Sequence, residues 1–340
     1  MVSEKCLIIA EAGVNHNGDV ELALKLCEAA KKAGADVVKF QTWITEKLLT
    51  RKVAQAEYQT DNTGKAESQY DMLKRLELSQ TDFTRIKEYC DSIGIMFSST
   101  ADEPDSLDFL VELGMPFIKI GSGEICNIPY LQYMGTKNLP VILSTGMSSL
   151  CDIDISIDAL RSGGVTDITL LHCTTSYPCP AESANLRAMI TLRDAFHLPA
   201  GYSDHTIGSE AAIAAVTLGA KVIEKHFTLD RNMEGPDHVA STEPEDFGKM
   251  VEQIRNVECM LGDGIKKPTE AERQISGVVK KRIVAGRDIQ KKEILTADNV
   301  CVKRNDAGLS AKYWDMVIGQ MADRDYEKDE AISTILMHEK

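Results

Sequence analysis

Through the first 228 residues, short continuous apolar runs alternate with longer segments whose apolar positions fall three and four apart. Eight runs are β-rich: CLIIAEA, ADVVKFQ, IMFSST, FIKIGS, PVILST, ITLLHCT, AGYSDH and KVIEKHF. Continuous apolar runs, rather than alternating ones, predict parallel strands covered on both faces. Between them, VELALKLCEAAKKAGA and TDFTRIKEYCDSIG carry the apolar stripe of an amphipathic helix and end near glycine. EAAIAAVTLGA, between the last two strands, reads the same way. Eight strand–helix repeats predict a (β/α)8 TIM barrel. The first strand is not followed by a GxGxxG turn, which counts against an open, doubly wound sheet.

Two segments break the rhythm. Residues 43–80 form a connection long enough for a lid or binding element, packed by Met72, Leu73, Leu76 and Leu78. After the helical PEDFGKMVEQIRNVECMLG the chain turns polar, and from Arg282 it reads as short strands and turns. The expected division is a barrel over 1–265, a linker over 266–281 and a small domain over 282–340. A net charge of −14 argues against nucleic acid or an anionic membrane as partner, but leaves room for an anionic small molecule at a local cluster of lysines. The N-terminal apolar run is too short for a signal peptide or a membrane span. Nine cysteines without a CxxC pair fit reduced thiols, so a cytoplasmic protein is expected.

In such a barrel, polar residues at the C-terminal ends of strands face the active site. Those ends carry Glu11, Lys39 and Gln41, then Thr100, Lys119, Ser122 and Glu124. Further along come Ser144, Thr175, Tyr177, Ser203, His205, Glu224 and His226. Polar groups in apolar strands are costly unless they line a wet cavity. His205 and His226 end neighbouring strands about 4.8 Å apart, with Glu11 next to the second when the barrel closes. Two imidazoles and a nearby carboxylate suit a divalent transition metal with open positions, or else a hydrogen-bonded structural pair. Lys39 and Lys119, with Ser122, Ser144 and Ser203, make an anion site; the competing reading is a Schiff-base lysine. Asp237, in MEGPDH, is placed on a turn to meet a polar ligand.

The segments IIAEAGVNHNGD, ADVVKFQT, KIGSGE, ILSTGM, LLHCTTSYP, GYSDHT, VIEKHFTLD and GPDH, in this order, resemble the sialic acid synthases, the phosphoenolpyruvate-condensing nonulosonate synthases. The last 60 or so residues resemble that family's antifreeze-like (SAF, β-clip) domain. The resemblance implies condensation of phosphoenolpyruvate with N-acetylmannosamine and water to give N-acetylneuraminate and phosphate. A legionaminate synthase, taking 2,4-diacetamido-2,4,6-trideoxymannose, is the alternative. It implies Mn2+, with Mg2+ or Co2+ in its place, on His205 and His226, and a water oriented by Glu11. Lys39, Thr100, Lys119, Ser122, Ser144, Thr175 and Ser203 would hold phosphoenolpyruvate. Gln41, Glu124, Tyr177, Asp237 and Arg304 would meet the N-acetylated amino sugar, Arg304 being offered across a domain-swapped homodimer. Thr175 stands where the family often has asparagine, KRNDAG replaces the commoner KRPGNG, and Lys292 replaces a turn glycine. The less favoured readings are a Schiff-base aldolase or lyase and a non-catalytic sugar-binding protein.

Overall fold

The computed structural model describes residues 5–51 and 68–334, so the central part of the expected lid, 52–67, lies outside the described residues. All eight apolar runs become strands: β1 (Leu7–Gly13), β2 (Val37–Thr42), β3 (Met96–Ala101), β4 (Ile118–Ile120), β5 (Val141–Ser144), β6 (Ile168–Cys173), β7 (Ala200–Asp204) and β8 (Val222–His226). They pair in chain order, all parallel, and β8 closes on β1 with Glu11 opposite His226. The helices between them are started by local chemistry. Ser79 and Asp82 form a reciprocal cap on the helix Gln80–Ile93, and Gly94, at φ 69°, ends it in the left-handed region that favours glycine.

The barrel interior is layered. Ile9, Val37, Phe117, Ile142, Leu171 and Val222 form an apolar floor, and the residues one alternation further along the strands are charged or polar. Outside the ring, strands and helices enclose the main core, which includes Phe40, Phe83, Phe97, Tyr202 and Phe247. One ion pair is sealed on that outer side. Asp204 and Lys225 are register partners on β7 and β8, and Lys225 Nζ lies 2.6 Å from Asp204 Oδ2. Lys225 also donates to the Thr206 carbonyl at 2.7 Å, while Thr206 N–H and Oγ1 both donate to Asp204 Oδ1.

Among its described residues, the long connection carries the short helices Thr45–Leu48 and Gln69–Leu76. Met72 and Leu76 pack with Val14 and Trp43, and Leu73 lies against them, as expected of the lid. Leu78 does not join them; it belongs to the main core, because it already leads into the helix that follows.

Residues through Asp263 make one compact unit and those from Gly264 a second. The expected linker is not featureless: a helix spans Glu270–Val279, started by a Thr269–Glu272 capping box that sequence polarity had masked. In the second unit β9 (Lys281–Ala285) pairs antiparallel with β10 (Val300–Arg304) over a small core that includes Ile283, Leu295 and Tyr326. Lys292 sits at φ 70°, so the turn keeps its left-handed geometry without glycine and bears the strain. Arg304 closes β10 as an exposed strand end, with Lys281 as its ladder partner. Among the described residues, no helix is long and apolar enough to cross a membrane.

Candidate active site

Above the apolar floor, the strand ends enclose a cavity of about 210 Å³. Its deepest layer is charged. Lys39 Nζ lies 2.5 Å from Glu11 Oε2 and donates to Thr100 Oγ1 at 3.0 Å. Lys119 donates to Ser144 Oγ at 2.9 Å and stands 3.4 Å from Glu224, which is also 3.8 Å from Lys39. Ser203 donates to Glu224 at 3.0 Å. Burial alone would depress the Lys39 ammonium, but Glu11 and Glu224 outweigh it and hold its pKa above the ordinary lysine value. Burial would likewise raise Glu224, yet Lys119 and Lys39 bring it down to about 2. A Lys39 held protonated between Glu11 and Glu224 is a poor Schiff-base nucleophile.

The next layer holds the histidines. Burial, reinforced by the charge of His205, lowers His226 to about 3, and burial lowers His205 as well, so both rings are neutral near pH 7. His205 Nδ1 donates to the Thr174 carbonyl at 2.7 Å, which fixes its tautomer and leaves Nε2 unprotonated. That nitrogen has only a long contact with Ser203 Oγ, at 3.4 Å, and the buried Nδ1 of His226 has no hydrogen-bond partner. The ring centroids are 5.6 Å apart. Two neutral imidazoles with uncommitted nitrogens fit a divalent ion, although no group of three His, Cys, Asp or Glu among the described residues is placed to hold one. The remaining positions would fall to solvent or substrate. Tyr177 packs on His205 with centroids 4.3 Å apart and meets His226 edge-on.

Glu11 links these layers. Its Oε1 accepts from Gln41 Nε2 at 3.0 Å, and burial raises its carboxyl above the ordinary range despite Lys39, with Glu224 adding to the rise. Ser122 Oγ accepts from the Gly146 N–H at 2.9 Å and lies 3.3 Å from Cys173 Sγ. Gly146 has no room for a side chain: a Cβ would sit 2.4 Å from Thr175 Oγ1 and 2.8 Å from Ser122 Oγ.

The structure therefore brings Glu11, Lys39, Gln41, Thr100, Lys119 and Ser122 to one cavity with Ser144, Thr175, Tyr177, Ser203, His205 and His226. Asp237 stands beside this lining, its Oδ2 4.0 Å from His226 Nδ1 and its carboxyl raised to about 7 by burial and then by Glu11. Glu124, on the turn Ser122–Glu124, accepts from Asn127 Nδ2 at 2.6 Å, off the cavity wall. Arg304 belongs to the second unit. Sequence reasoning assigned no role to Glu224, Cys173, Met147 or Asp102, all of which line the cavity. Continuing the period-two alternation of β3 past Thr100 would have found Asp102.

A family model described as the NeuB family matches residues 26–266, and one for the SAF domain matches residues 281–334. The N,N'-diacetyllegionaminic acid synthase of Campylobacter jejuni is 46% identical over 331 residues, covering 97% of this chain and 99% of that protein. The enzyme of the same name from Legionella pneumophila is 45% identical, covering 93% and 90%. Among solved structures, the N-acetylneuraminic acid synthetase of Leptospira borgpetersenii superposes with a TM-score of 0.70 at 34% identity, covering 80% of this chain and 90% of that one.

Proposed function

Because the chain belongs to the NeuB family, we propose that it condenses phosphoenolpyruvate with 2,4-diacetamido-2,4,6-trideoxymannose and water, giving N,N'-diacetyllegionaminate and phosphate. The observation that carries this choice of sugar is similarity of 46% and 45% along nearly the whole chain to two enzymes named for that product. The sialic acid synthetase of known structure stands at 34%. N-acetylmannosamine, the sugar first expected from sequence, thus gives way to the diacetamido sugar.

In this reading Lys39 and Lys119 neutralise the phosphate and carboxylate of phosphoenolpyruvate. Hydroxyls of Thr100, Ser122, Ser144, Thr175 and Ser203 complete its shell. Glu224 lies between the two ammonium groups, 3.4 Å from Lys119 and 3.8 Å from Lys39. Gln41 and Tyr177 line the cavity toward the acceptor sugar, with Asp237 beside them, and Glu124 stands off the cavity wall. His205 and His226 would hold a divalent ion, Mn2+ before Mg2+ or Co2+, which supplies Lewis-acid polarisation of the sugar aldehyde. Carbon 3 of phosphoenolpyruvate bonds to the aldehyde carbon, whose oxygen becomes a hydroxyl. Water adds at carbon 2, the bond from carbon 2 to the phosphate oxygen breaks to leave the 2-keto group, and phosphate departs; of the water's two protons, one ends on the new hydroxyl and one on phosphate. Glu11, raised by burial and anchored by Gln41, orients that water and takes its proton. Self-association as a homodimer, and a sugar contact by Arg304, belong to the same proposal; sedimentation and the sugar KM of Arg304→Ala test them.

The deciding experiment offers phosphoenolpyruvate with the diacetamido sugar and with N-acetylmannosamine, and measures phosphate and 2-keto acid together. A higher kcat/KM for the diacetamido sugar is expected. Preference for N-acetylmannosamine would overturn the choice of sugar, and no phosphate release with either would overturn the reaction.

A further inference from the structure

One acidic side chain of the cavity has no task in that mechanism. Along β3, Ser98 and Thr100 point into the barrel. Ser99 and Ala101 point away from it, where Ser99 Oγ meets Thr42 Oγ1 at 2.7 Å and the Ala101 carbonyl accepts from Tyr130. Asp102 continues the inward set. Its N–H donates to the Thr42 carbonyl at 3.1 Å, so it stands one layer above the register pair Gln41 and Thr100, and it lines the cavity.

Its neighbours are engaged. Glu103 caps the helix Pro104–Glu112 through Asp105 N and Ser106 N, Glu124 holds Asn127, and Glu11 holds Lys39 and Gln41. The Asp102 carboxyl receives no hydrogen bond from the described residues. The charged groups that act on it most are Glu124, Lys39, Glu11 and Glu103. Three of these are acids, and the lysine is already paired. Burial first, then Glu124, raises the carboxyl to about 7. In the eight-strand ring, β3 stands across from β7, which carries His205 at its end. A sugar with its aldehyde at the histidines therefore has Asp102 across the cavity from it.

We propose that Asp102 is a specificity-determining residue that closes the cavity to acceptors bearing negative charge on the tail, such as a terminal phosphate monoester, and so selects uncharged sugars. The inference rests on reading the cavity as an acceptor-sugar site. Discrimination of this kind works by repulsion: a phosphate monoester brought against Asp102, with Glu124 near, meets carboxyl groups.

The test uses the full chain saturated with phosphoenolpyruvate in EDTA, where turnover is abolished. Calorimetry gives the Kd of N-acetylmannosamine and of N-acetylmannosamine 6-phosphate for the wild type, Asp102→Asn and Asp102→Ser. The wild type should bind the phosphate ester at least about tenfold more weakly, and both variants should narrow that ratio to within about threefold. From pH 6 to pH 8 the ratio should widen in the wild type as Asp102 ionises. In both variants any change left is that of the phosphate itself. Ratios equal in wild type and variants, or no binding of either probe, would overturn the proposal. Because binding is read without turnover, failure of the condensation assay leaves this result interpretable.

Discussion

Replacing Lys225 with methionine removes one half of the ion pair sealed behind the two histidines. The side chains of Lys225 and Asp204 are 2% and 0% exposed, and their charged atoms are 2.6 Å apart. Breaking a buried pair by deleting one partner costs about 3–5 kcal/mol, because the other charge is left uncompensated in a poorly polarisable interior. Here Asp204 keeps two donors, the N–H and hydroxyl of Thr206, which places the cost near the lower end. For a unit of this size, about 3 kcal/mol corresponds to a fall in Tm on the order of 10 °C. The double variant Asp204→Asn/Lys225→Met removes both charges together and should recover most of the loss, leaving about 1 kcal/mol. Thermal unfolding followed by circular dichroism reads both. A Lys225→Met protein within about 1 kcal/mol of wild type, or a double variant as unstable as the sum of the singles, would refute the idea that an unpaired charge is what the interior resists.

Other outcomes follow from the same geometry. His226→Ala should bind Mn2+ at least about tenfold more weakly, read by electron paramagnetic resonance of free Mn2+, and chelation should abolish turnover of the wild type. Glu11→Gln should lower kcat far more than it raises the KM for phosphoenolpyruvate; a pure affinity loss would remove Glu11 from water orientation. Gly146→Ala must displace Thr175 and Ser122, so its KM for phosphoenolpyruvate should rise about tenfold or more with little change in Tm. His16 is buried and its pKa is lowered to about 4, first by burial. The unfolded chain therefore takes up a proton near pH 6.5 that the folded chain refuses until about 4, and stability is lost as pH falls through that window. His16→Asn should flatten that part of the stability–pH curve, by at most about 3 kcal/mol.

The barrel was legible because parallel strands covered on both faces leave an unbroken apolar signature, and because the closing contact of Glu11 with His226 depends only on strand count and register. Strand-end residues were legible for the same reason: Lys39, Lys119 and Ser203 are polar where the strand demands apolar. What escaped was of three kinds. Asp102 lies one residue beyond β3, where the apolar pattern has ended and an aspartate looks like ordinary loop. The lysines read from sequence as free cations, whereas Glu11 and Glu224 balance them, a pairing set by register across three strands that no local pattern reports. The helix Glu270–Val279 was hidden by its charged first turn, which is the composition that helix starts favour.

The apolar floor also sets the traffic. Ile9, Val37, Phe117, Ile142, Leu171 and Val222 stopper the barrel below the lysines, so among the described residues the well is closed at its floor. Whatever rests on Lys39 and Lys119 is roofed over by the next arrival at the histidines and Tyr177. Occupancy becomes a stack, with the first molecule in the last one out. A dead-end sugar analogue should then trap phosphoenolpyruvate beneath it, slowing release of the deeper ligand without competing for its seat.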